Sequence, residues 1–337
     1  MKTIDILIVF VIIAAASGCL GQKPAGTPAP VEPPISSIGT DLASSPEYTI
    51  AYLSDGRPDK EKSNSERNLA IDFNQIIPQS PTKRVDAVIM LGDMDTIEKT
   101  SRAYADSTAR NIPVFYEIGN HELENKADLP QIKKLFASYP FNPLPGPDGS
   151  KETTYSFNVG DMHIVVLNEY WDGNNNGVCD WKIPSGGINA DDSCFKYNDA
   201  DGGFIPDTLF KWLENDLDRN TKKWTIITGH EPLYPGKRHV GDSLDKDKEN
   251  RDKLEKLFVS KNVSAFIGAH THNSGVVTKD NIFHVDAGVC GIQTLLGSGD
   301  SFASIIYTTV DPDGHFKIIH ARENPTWINS KNNIYSK

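Results

Sequence analysis

From Tyr48 onward, short apolar runs alternate with segments whose apolar residues recur at helical spacing. Three apolar runs predict β-strands at Tyr48–Ser54, Val85–Leu91 and Ile112–Ile118. Between them, helical spacing predicts helices at Arg67–Ile77, before Pro78, and at Ser101–Arg110. This alternation predicts β-α-β units, in which helices cover both faces of a sheet.

The later part of the chain repeats the alternation with more antiparallel character. The pair Gly160-Asp161 separates two apolar runs and predicts a hairpin of Tyr155–Val159 with Met162–Leu167. Further along, the pattern predicts a helix at Leu209–Leu217, a strand at Trp224–Thr228, a helix at Lys253–Val259 and a strand at Ala265–Gly268. Residues 275–320 predict several strands with turns, one of them at Asp313-Gly314.

The N-terminal residues differ from the rest in composition. Ile6–Ala16 is an uncharged apolar run too short to span a bilayer, and small residues follow it up to Cys19. We interpret residues 1–18 as a signal peptide and Cys19 as a lipidated cysteine. The Pro-rich residues 19–46 then form a tether, and the protein is exported and membrane-anchored on the outer face of the cytoplasmic membrane. The alternatives are an ordinary signal peptide and a weak membrane anchor.

The remaining boundaries follow from composition. We predict one globular domain at 47–325, with an Asn/Asp/Gly-rich insertion at 170–205 and a C-terminal tail at 326–337. In an oxidising compartment Cys179 and Cys194 would pair, which closes a loop and stabilises the fold by roughly 3 kcal/mol. Cys290 lies in an apolar segment and is expected to be a buried free thiol.

The formal net charge of −11 limits the classes of partner. An acidic surface does not attract a nucleic-acid backbone, so we expect no nucleic-acid binding. An anionic substrate would also be repelled, unless bound cations reverse the field locally. We expect a monomer that acts on a small substrate.

Polar residues that can bind metal ions follow five of the predicted strands. Each strand ends beside a glycine and an Asp, Asn or His, and the set is Asp55, Asp93, Asn120, His230, His270 and His272. In open α/β sheets, ligands bind at the carboxyl ends of the strands, so these side chains predict one shared site. Carboxylate and amide oxygens mixed with imidazoles suit Mn, Fe, Zn or Ni rather than Ca. Two metals would need an anionic bridging ligand, which a carboxylate can supply.

The motifs that contain these residues resemble those of the calcineurin-like metallophosphoesterases, a family that includes the purple acid phosphatases. The motifs are Ser54-Asp55-Gly56-Arg57, Gly92-Asp93, Gly119-Asn120-His121-Glu122, Gly229-His230-Glu231-Pro232 and Gly268-Ala269-His270-Thr271-His272. The resemblance covers roughly residues 48–320. It implies a four-layer α-β-β-α sandwich with two mixed sheets flanked by helices.

The resemblance also implies a role for each residue. Asp93 would bridge two metals, with Asp55 and His272 on the first, and with Asn120, His230 and His270 on the second. His121 would donate a proton or a hydrogen bond to the phosphate, oriented by its neighbour Glu122. The reaction implied is in-line attack on phosphorus by a metal-bridging hydroxide, without a covalent phosphoenzyme.

One motif departs from the family pattern. Many members have Asp-x-His where this chain has Asp55-Gly56-Arg57, and arginine cannot ligate a metal. Purple acid phosphatases replace that His by a Tyr three residues after the bridging Asp, but here the position is Thr96. The first metal site is then weak, vacant or completed by another group such as Asp59 or Asp95. Arg57 either contacts the substrate phosphate or is a surface loop residue.

Two further segments have candidate functions. Lys237, Arg238 and His239 follow the Gly-His-Glu-Pro motif and predict a phosphate-binding or proton-donating loop, or alternatively a solvated basic turn. Asp172, Asn174, Asn176 and Asp180 match positions 1, 3, 5 and 9 of a calcium-binding loop. Ile183 stands where such a loop has Glu, so the alternative to a structural calcium is a disulfide-closed loop over the site.

Two functional hypotheses remain. The first is metal-dependent hydrolysis of a phosphoric ester outside the cytoplasm, with a phosphomonoester favoured slightly over a phosphodiester because cationic residues lie in the motifs. The second is a catalytically weak or inactive surface-binding protein on the same scaffold, with Arg57 as the mark of lost catalysis.

Overall fold

The computed structural model describes residues 47–57, 65–94, 96–124, 127–173, 203–291, 300, 302–323 and 331–337. The chain divides into two compact units, Met1–Ile38 and Gly39–Lys337, and all described residues belong to the second. The predicted signal peptide, Cys19, the tether, Cys179 and Cys194 lie outside the described residues. Within the described part, no helix has the length and apolarity needed to cross a membrane.

Strands and helices alternate through the first half of the unit, and strands dominate its end. The strands are β1 (Tyr48–Leu53), β2 (Ala87–Met90), β3 (Val114–Tyr116), β4 (Leu144–Pro145), β5 (Tyr155–Val159), β6 (Met162–Val166), β7 (Trp224–Thr228), β8 (Ala265–Gly268), β9 (Ser274–Lys279), β10 (Ile282–Ala287), β11 (Ser304–Val310), β12 (Phe316–Arg322) and β13 (Lys331–Ser336). The helices are α1 (Ser65–Phe73), α2 (Ile76–Gln79), α3 (Ile97–Ala105), α4 (Asn120–Glu124), α5 (Asp128–Phe136), α6 (Asp207–Arg219) and α7 (Lys248–Ser260).

The strands form two mixed sheets. The first has six strands in the order β13-β12-β11-β1-β2-β3, and the second has seven in the order β4-β5-β6-β7-β8-β10-β9. Strands β1, β2 and β3 are parallel to one another, as are β6, β7 and β8. Strand β10 is also parallel to β8, and the other pairs are antiparallel, including the predicted hairpin of β5 with β6. Both sheets therefore present a set of parallel carboxyl ends, which is where ligand sites form.

Burial shows that the two sheets pack face to face. Along β1, Ile50 and Tyr52 face a cluster shared with the second sheet, whereas Ala51 and Leu53 face a cluster with α1, α3 and α5. The outer face of the second sheet packs against α6 and α7. This alternation arises because successive side chains of a strand point to opposite faces. The structure thus confirms the predicted α-β-β-α layers.

Aromatic rings fill part of the space between the sheets. The ring of Phe115 on β3 lies on that of Phe157 on β5, with centroids 4.1 Å apart and planes 11° apart. Phe141 and Tyr155 flank the same pair. Large buried rings contribute strongly to cores, so this stack helps to hold one sheet against the other.

Two predicted helices have different bounds in the structure. The pattern at Arg67–Ile77 resolves into α1 and α2, because a turn at Asn74 and Gln75 interrupts the helix. Pro78 lies inside α2, in a first turn where no backbone N–H is required. Helix α3 spans Ile97–Ala105 rather than Ser101–Arg110, since the Asp128 carboxylate accepts the Ile97 N–H (3.0 Å) and caps its first turn.

The C-terminal boundary is also different. We predicted a tail at 326–337, but Lys331–Ser336 forms β13 and pairs antiparallel with β12. The register places Ile334 opposite Ile319 at the edge of the first sheet. The segment resembles a tail in sequence because its side chains are mostly exposed polar groups, whereas its pairing is made by the backbone.

Candidate metal centre

The predicted ligands follow strands of both sheets. Asp55, Asp93 and Asn120 come after β1, β2 and β3, while His230, His270 and His272 come after β7 and β8. The structure brings the two groups together: His230 Nε2 lies 3.4 Å from Asp93 Oδ1, and the His270 N–H donates to Asp55 Oδ2 (3.2 Å). All six side chains are buried. The site therefore lies where the carboxyl ends of the two sheets meet.

The backbone is left-handed at most of these positions. The φ angles of Asp55, Asp93, His270 and His272 are 53°, 53°, 64° and 56°, and Arg57 and His239 are also positive. A non-glycine residue in this region costs on the order of 1–3 kcal/mol and persists where function requires the geometry. The strain turns each side chain from the end of its strand into the site.

Two glycines allow the loops to approach. A Cβ on Gly92 would lie 2.5 Å from the Gly119 nitrogen and 2.8 Å from His230 Nδ1. A Cβ on Gly119 would lie 2.5 Å from the Asp93 nitrogen. Real Cβ atoms do not come so close to backbone, so both positions require glycine.

One half of the arrangement fits a metal ion. Asp93, His230 and His270 each offer a ligand atom, and these atoms all lie within 4.8 Å of one another. The buried Asn120 Oδ1 and His230 Nε2 have no hydrogen-bond partner among the described residues. His230 Nδ1 bonds to the Leu91 carbonyl oxygen (2.7 Å), which places the proton there and leaves the Nε2 lone pair facing the site. Buried polar atoms without partners are costly, and a bound cation satisfies them.

The charges support the same arrangement. Burial alone would raise the pKa of Asp93, but the charges of His121 and His230 outweigh it and hold that pKa well below its usual range. Burial alone would lower the pKa of His230, and the Asp93 carboxylate outweighs it and raises that pKa well above its usual range. Burial, with the charge of His230, lowers the pKa of His270 far below its usual value. Without a cation, the Asp93 carboxylate thus favours a second proton on His230. A bound cation would displace that proton, because metals bind carboxylates and neutral imidazoles.

The other half does not fit a second metal in the same way. Asp55 Oδ1 is likewise buried without a hydrogen-bond partner among the described residues, and it lies 3.1 Å from His272 Nε2. Arg238 Nη1, however, lies 2.6 Å from His272 Nδ1. Arg57, only 8% exposed, replaces the histidine of the common motif and donates its backbone N–H to the Asp93 carbonyl oxygen (3.2 Å). Two guanidinium groups therefore belong to the region where the resemblance places the first metal. Asp59 and Asp95, the other candidates for completing it, lie outside the described residues.

Glu122 has a role that the sequence did not predict. Its carboxylate accepts three backbone N–H groups, those of Gly119 (2.7 Å), Asp93 (2.8 Å) and Met94 (2.6 Å). It therefore fixes the loops after β2 and β3 and positions Asp93. The orientation of the His121 ring by Glu122 stays a prediction.

The two candidate catalytic histidines contact different ligands. His121 Nε2 is 3.5 Å from Asp93 Oδ2, with the side chain 16% exposed. His239 lies with its ring centroid 4.1 Å from that of His270, and its Nδ1 is 3.2 Å from Asp242 Oδ2. Burial lowers the pKa of His239. Both rings line the site from positions that solvent reaches, so a substrate can contact them.

Three buried glutamates near His230 were not predicted. Glu117, Glu169 and Glu231 come after β3, β6 and β7, as the ligands come after their strands. The Glu231 N–H donates to Glu169 Oε1 (2.6 Å), and Tyr170 donates its hydroxyl to Glu231 (3.0 Å). Burial raises the pKa of Glu169 to about 7 and that of Glu231 to about 8. Their position at strand ends is the signal in the sequence that would have found them.

The remaining predicted residues are partly described. Cys290 is a buried free thiol, as predicted. Asp172 is described and partly exposed, but Asn174, Asn176 and Asp180 lie outside the described residues, so the calcium site stays a prediction. The same holds for the pairing of Cys179 with Cys194.

Comparison with protein families settles which group has this arrangement. The sequence model of the calcineurin-like phosphoesterases matches residues 65–274, more than half of the chain. The chain belongs to this family. As the resemblance predicted, it is one of the hydrolase families that act on phosphoester bonds. The match includes Asp93, Asn120, His230, His270 and His272, but begins after Asp55 and Arg57, so the motif that departs from the pattern lies outside it.

Relatives within the family are purple acid phosphatases. Purple acid phosphatase 15 of Arabidopsis thaliana is 23% identical over 222 residues, which cover 63% of this chain and 34% of the relative. Purple acid phosphatase 23 of the same plant is 21% identical over 215 residues, covering 63% of this chain and 39% of the relative. The chain thus spans little more than a third of the length of these curated relatives.

Solved structures share the fold. The purple acid phosphatase PPD1 from yellow lupin (Lupinus luteus) seeds aligns with a TM-score of 0.54 at 13% identity, covering 86% of this chain and 53% of that one. GAP50, described as the anchor in the inner membrane complex of Plasmodium, aligns with a TM-score of 0.50 at 13% identity, covering 82% and 84%. At this identity the likeness establishes the fold alone.

Proposed function

We propose that this protein hydrolyses phosphoric esters with the help of a metal ion held by Asp93, Asn120, His230 and His270. The observation that carries the proposal is the pair of unpartnered buried ligand atoms, Asn120 Oδ1 and His230 Nε2, beside the Asp93 carboxylate. Family membership supports the reaction type. When bound, such a cation activates the attacking water and stabilises negative charge on the phosphoryl oxygens.

The surrounding side chains would bind and orient the substrate. His121 lies next to Asp93 and is partly exposed, so its ring can donate a proton to the departing ester oxygen or a hydrogen bond to the phosphate. The guanidinium groups of Arg57 and Arg238 suit phosphate oxygens because their planar forks donate two parallel hydrogen bonds. They also counter the repulsion that the net charge of −11 imposes on an anion.

We favour a phosphomonoester slightly over a phosphodiester. A monoester has an additional negative charge, and Arg238 beside His272 together with Arg57, whose charge acts on Asp93, provides more positive charge than a diester needs. The similarity to purple acid phosphatases supports the same choice. The bound metal would be Mn, Fe, Zn or Ni, since the ligands mix imidazole with oxygen.

We also propose that the protein acts outside the cytoplasm, attached to the membrane through a lipid on Cys19. The support is the sequence alone: an uncharged apolar run, small residues before the cysteine and a Pro-rich tether. Metabolic labelling with a radioactive fatty acid would mark the wild-type protein but not the Cys19→Ser variant. Labelling of both would contradict the assignment.

A second candidate is a binding protein on the phosphoesterase scaffold. The specific observation in its favour is the presence of Arg57 and Arg238 where the resemblance places a metal. A structural neighbour, GAP50, is described as an anchor, and one fold can serve more than one function.

Hydrolysis of two esters decides between the candidates. Protein stripped with a chelator and reloaded with Mn²⁺ is given p-nitrophenyl phosphate or bis-p-nitrophenyl phosphate, with a sample kept in chelator as the control. We expect metal-dependent turnover of both, faster on the monoester. No turnover with any of Mn²⁺, Fe²⁺, Zn²⁺ or Ni²⁺ would reject hydrolysis of these esters and favour the binding protein.

A further inference from the structure

The region around Asp55 and His272 is built differently from the rest of the site. Asp55 Oδ1 and His272 Nε2 face each other at 3.1 Å, and the two side chains are 0% and 6% exposed. Asp55 Oδ1 is buried without a hydrogen-bond partner in the described part of the chain, as Asn120 Oδ1 is. The two halves of the site therefore differ in their histidines rather than in these oxygen atoms.

The contact of His272 with Arg238 determines which ring nitrogen holds the proton. Arg238 Nη1 lies 2.6 Å from His272 Nδ1, and a guanidinium can only donate hydrogen bonds. His272 Nδ1 is therefore an acceptor without a hydrogen. The neutral ring must then have its proton on Nε2, which faces Asp55. A protonated nitrogen has no lone pair for a metal, so the contact with Arg238 keeps this ring from acting as a ligand.

Arg57 adds a second positive charge to the same region. Its side chain is buried, and its backbone is fixed by the hydrogen bond to the Asp93 carbonyl oxygen. Its φ of 33° keeps the residue in the left-handed turn that follows β1. Its charge is one of those that lower the pKa of Asp93 against the effect of burial.

The opposite half of the site has the reverse chemistry. The neutral ring of His230 has its proton on Nδ1, bonded to the Leu91 carbonyl oxygen, so that its Nε2 presents a lone pair. Asn120 Oδ1 is buried without a hydrogen-bond partner in the described part of the chain. Hydrogen bonds thus prepare one imidazole to ligate a metal and the other to donate a proton.

We propose that the centre holds a single metal ion, at Asp93, Asn120, His230 and His270, and that Arg238 and Arg57 supply the positive charge of the second. Arg238 would contact both His272 and a phosphate oxygen of the substrate, since the guanidinium has further N–H groups beyond the one that His272 accepts. The metal count does not depend on turnover, whereas the contact with substrate phosphate rests on the proposed function.

Metal stoichiometry tests the first half. The full chain is stripped with a chelator, reloaded with excess Mn²⁺, desalted and analysed for metal per chain by plasma mass spectrometry. We expect about one Mn²⁺ in the wild type, about one in His272→Ala and Asp55→Asn, and nearly none in His230→Ala. Two ions in the wild type, falling to one in His272→Ala, would overturn the proposal. Retention of the metal in His230→Ala would overturn it as well.

A gain of metal provides the converse test. In Arg57→His/Arg238→Gln, the Asp-x-His motif is restored and His272 Nδ1 is released, so we expect a second Mn²⁺ per chain. Arg102→Gln, which removes an exposed arginine of α3 paired with Glu98, is the control and should stay at one. Thermal unfolding confirms that the double variant folds, and a folded double variant that still binds one ion contradicts the explanation.

Binding of inorganic phosphate tests the arginines without catalysis. Calorimetry on the Mn²⁺-loaded protein should show at least about a tenfold weaker affinity for phosphate in Arg238→Gln than in the wild type or Arg102→Gln. Equal affinity in all three would contradict the role of Arg238. One metal and arginine-dependent phosphate binding without ester hydrolysis would sink the proposed function and leave this inference intact.

Discussion

Replacement of Glu122 by Gln should loosen the metal centre without a direct contact to the metal. The Glu122 carboxylate is fully buried and accepts the backbone N–H groups of Gly119, Asp93 and Met94 at 2.6–2.8 Å. Glutamine has one oxygen. If this oxygen keeps the bonds to Gly119 and Asp93, the NH2 group faces the Met94 N–H, and two donors oppose each other.

The magnitude follows from the bonds that are lost. A hydrogen bond to a charged acceptor contributes about 1.5–3 kcal/mol, and an opposed pair of buried donors adds to the loss. We expect Glu122→Gln to lower the free energy of unfolding by about 2–4 kcal/mol. Because the same carboxylate fixes the backbone of Asp93, metal affinity should fall by about 10–100-fold, the usual effect of removing a group that holds a ligand.

Two measurements on one preparation check this prediction: urea unfolding, and Mn²⁺ affinity by competition with a chromogenic chelator. Glu98→Gln, in which the replaced carboxylate is exposed and paired with Arg102 on the surface of α3, is the matched control. Unchanged stability and metal affinity in Glu122→Gln would refute the reasoning. Lower turnover at unchanged metal affinity would contradict the role in metal binding and favour the predicted action of Glu122 on His121.

Further predictions concern catalysis, pH and packing. His121→Asn should lower kcat by about 10²–10⁴-fold and leave the metal count unchanged, and normal turnover would remove His121 from the reaction. Burial lowers the pKa of His320 to about 4, so the unfolded chain binds the proton more tightly below pH 6.5, and stability is lost as the pH falls. Urea unfolding of the wild type should show a free energy of unfolding about 2–3 kcal/mol lower at pH 4.5 than at pH 7. This loss should be absent in His320→Gln and kept in His315→Gln, which replaces an exposed histidine. The same pH dependence in wild type and His320→Gln would contradict an origin in His320. Phe115→Ala should lower the free energy of unfolding by about 3–5 kcal/mol because it removes the ring stacked on Phe157. Val240→Ala, at an exposed position, should lower it by less than about 0.5 kcal/mol. Similar melting temperatures of the two variants would show that the stack is not essential.

The positions of the strands could be predicted because a buried strand is a run of apolar residues in the sequence. The apolar runs that end at Asp55, Asp93 and Asn120 are strands of the first sheet, and those that end at His230 and His270 are strands of the second. The apolar runs alone did not indicate that these strands belong to two different sheets. The pairing depends on contacts between residues far apart in the chain, such as β1 with β11.

The helix bounds and the supporting groups were harder for a related reason. Helix α3 begins where it does because Asp128 caps it, and Glu122 acts on backbone groups of Asp93 and Met94 that precede it by about 30 residues. Such hydrogen bonds from side chains to the backbone produce no periodic pattern in the sequence. The departure at Arg57 was visible as a missing ligand, but the bond from Arg238 to His272 could be found only in three dimensions.

Turnover of p-nitrophenyl phosphate during a Mn²⁺ titration tests the central claim most directly, with wild-type protein and the Asp93→Asn variant measured side by side. The account predicts turnover that rises with Mn²⁺ and saturates in the wild type, and stays at background in the variant, because Asp93 is the carboxylate at the centre of the ligand set. Equal turnover in the two proteins, or none in the wild type at any Mn²⁺ concentration, would contradict it.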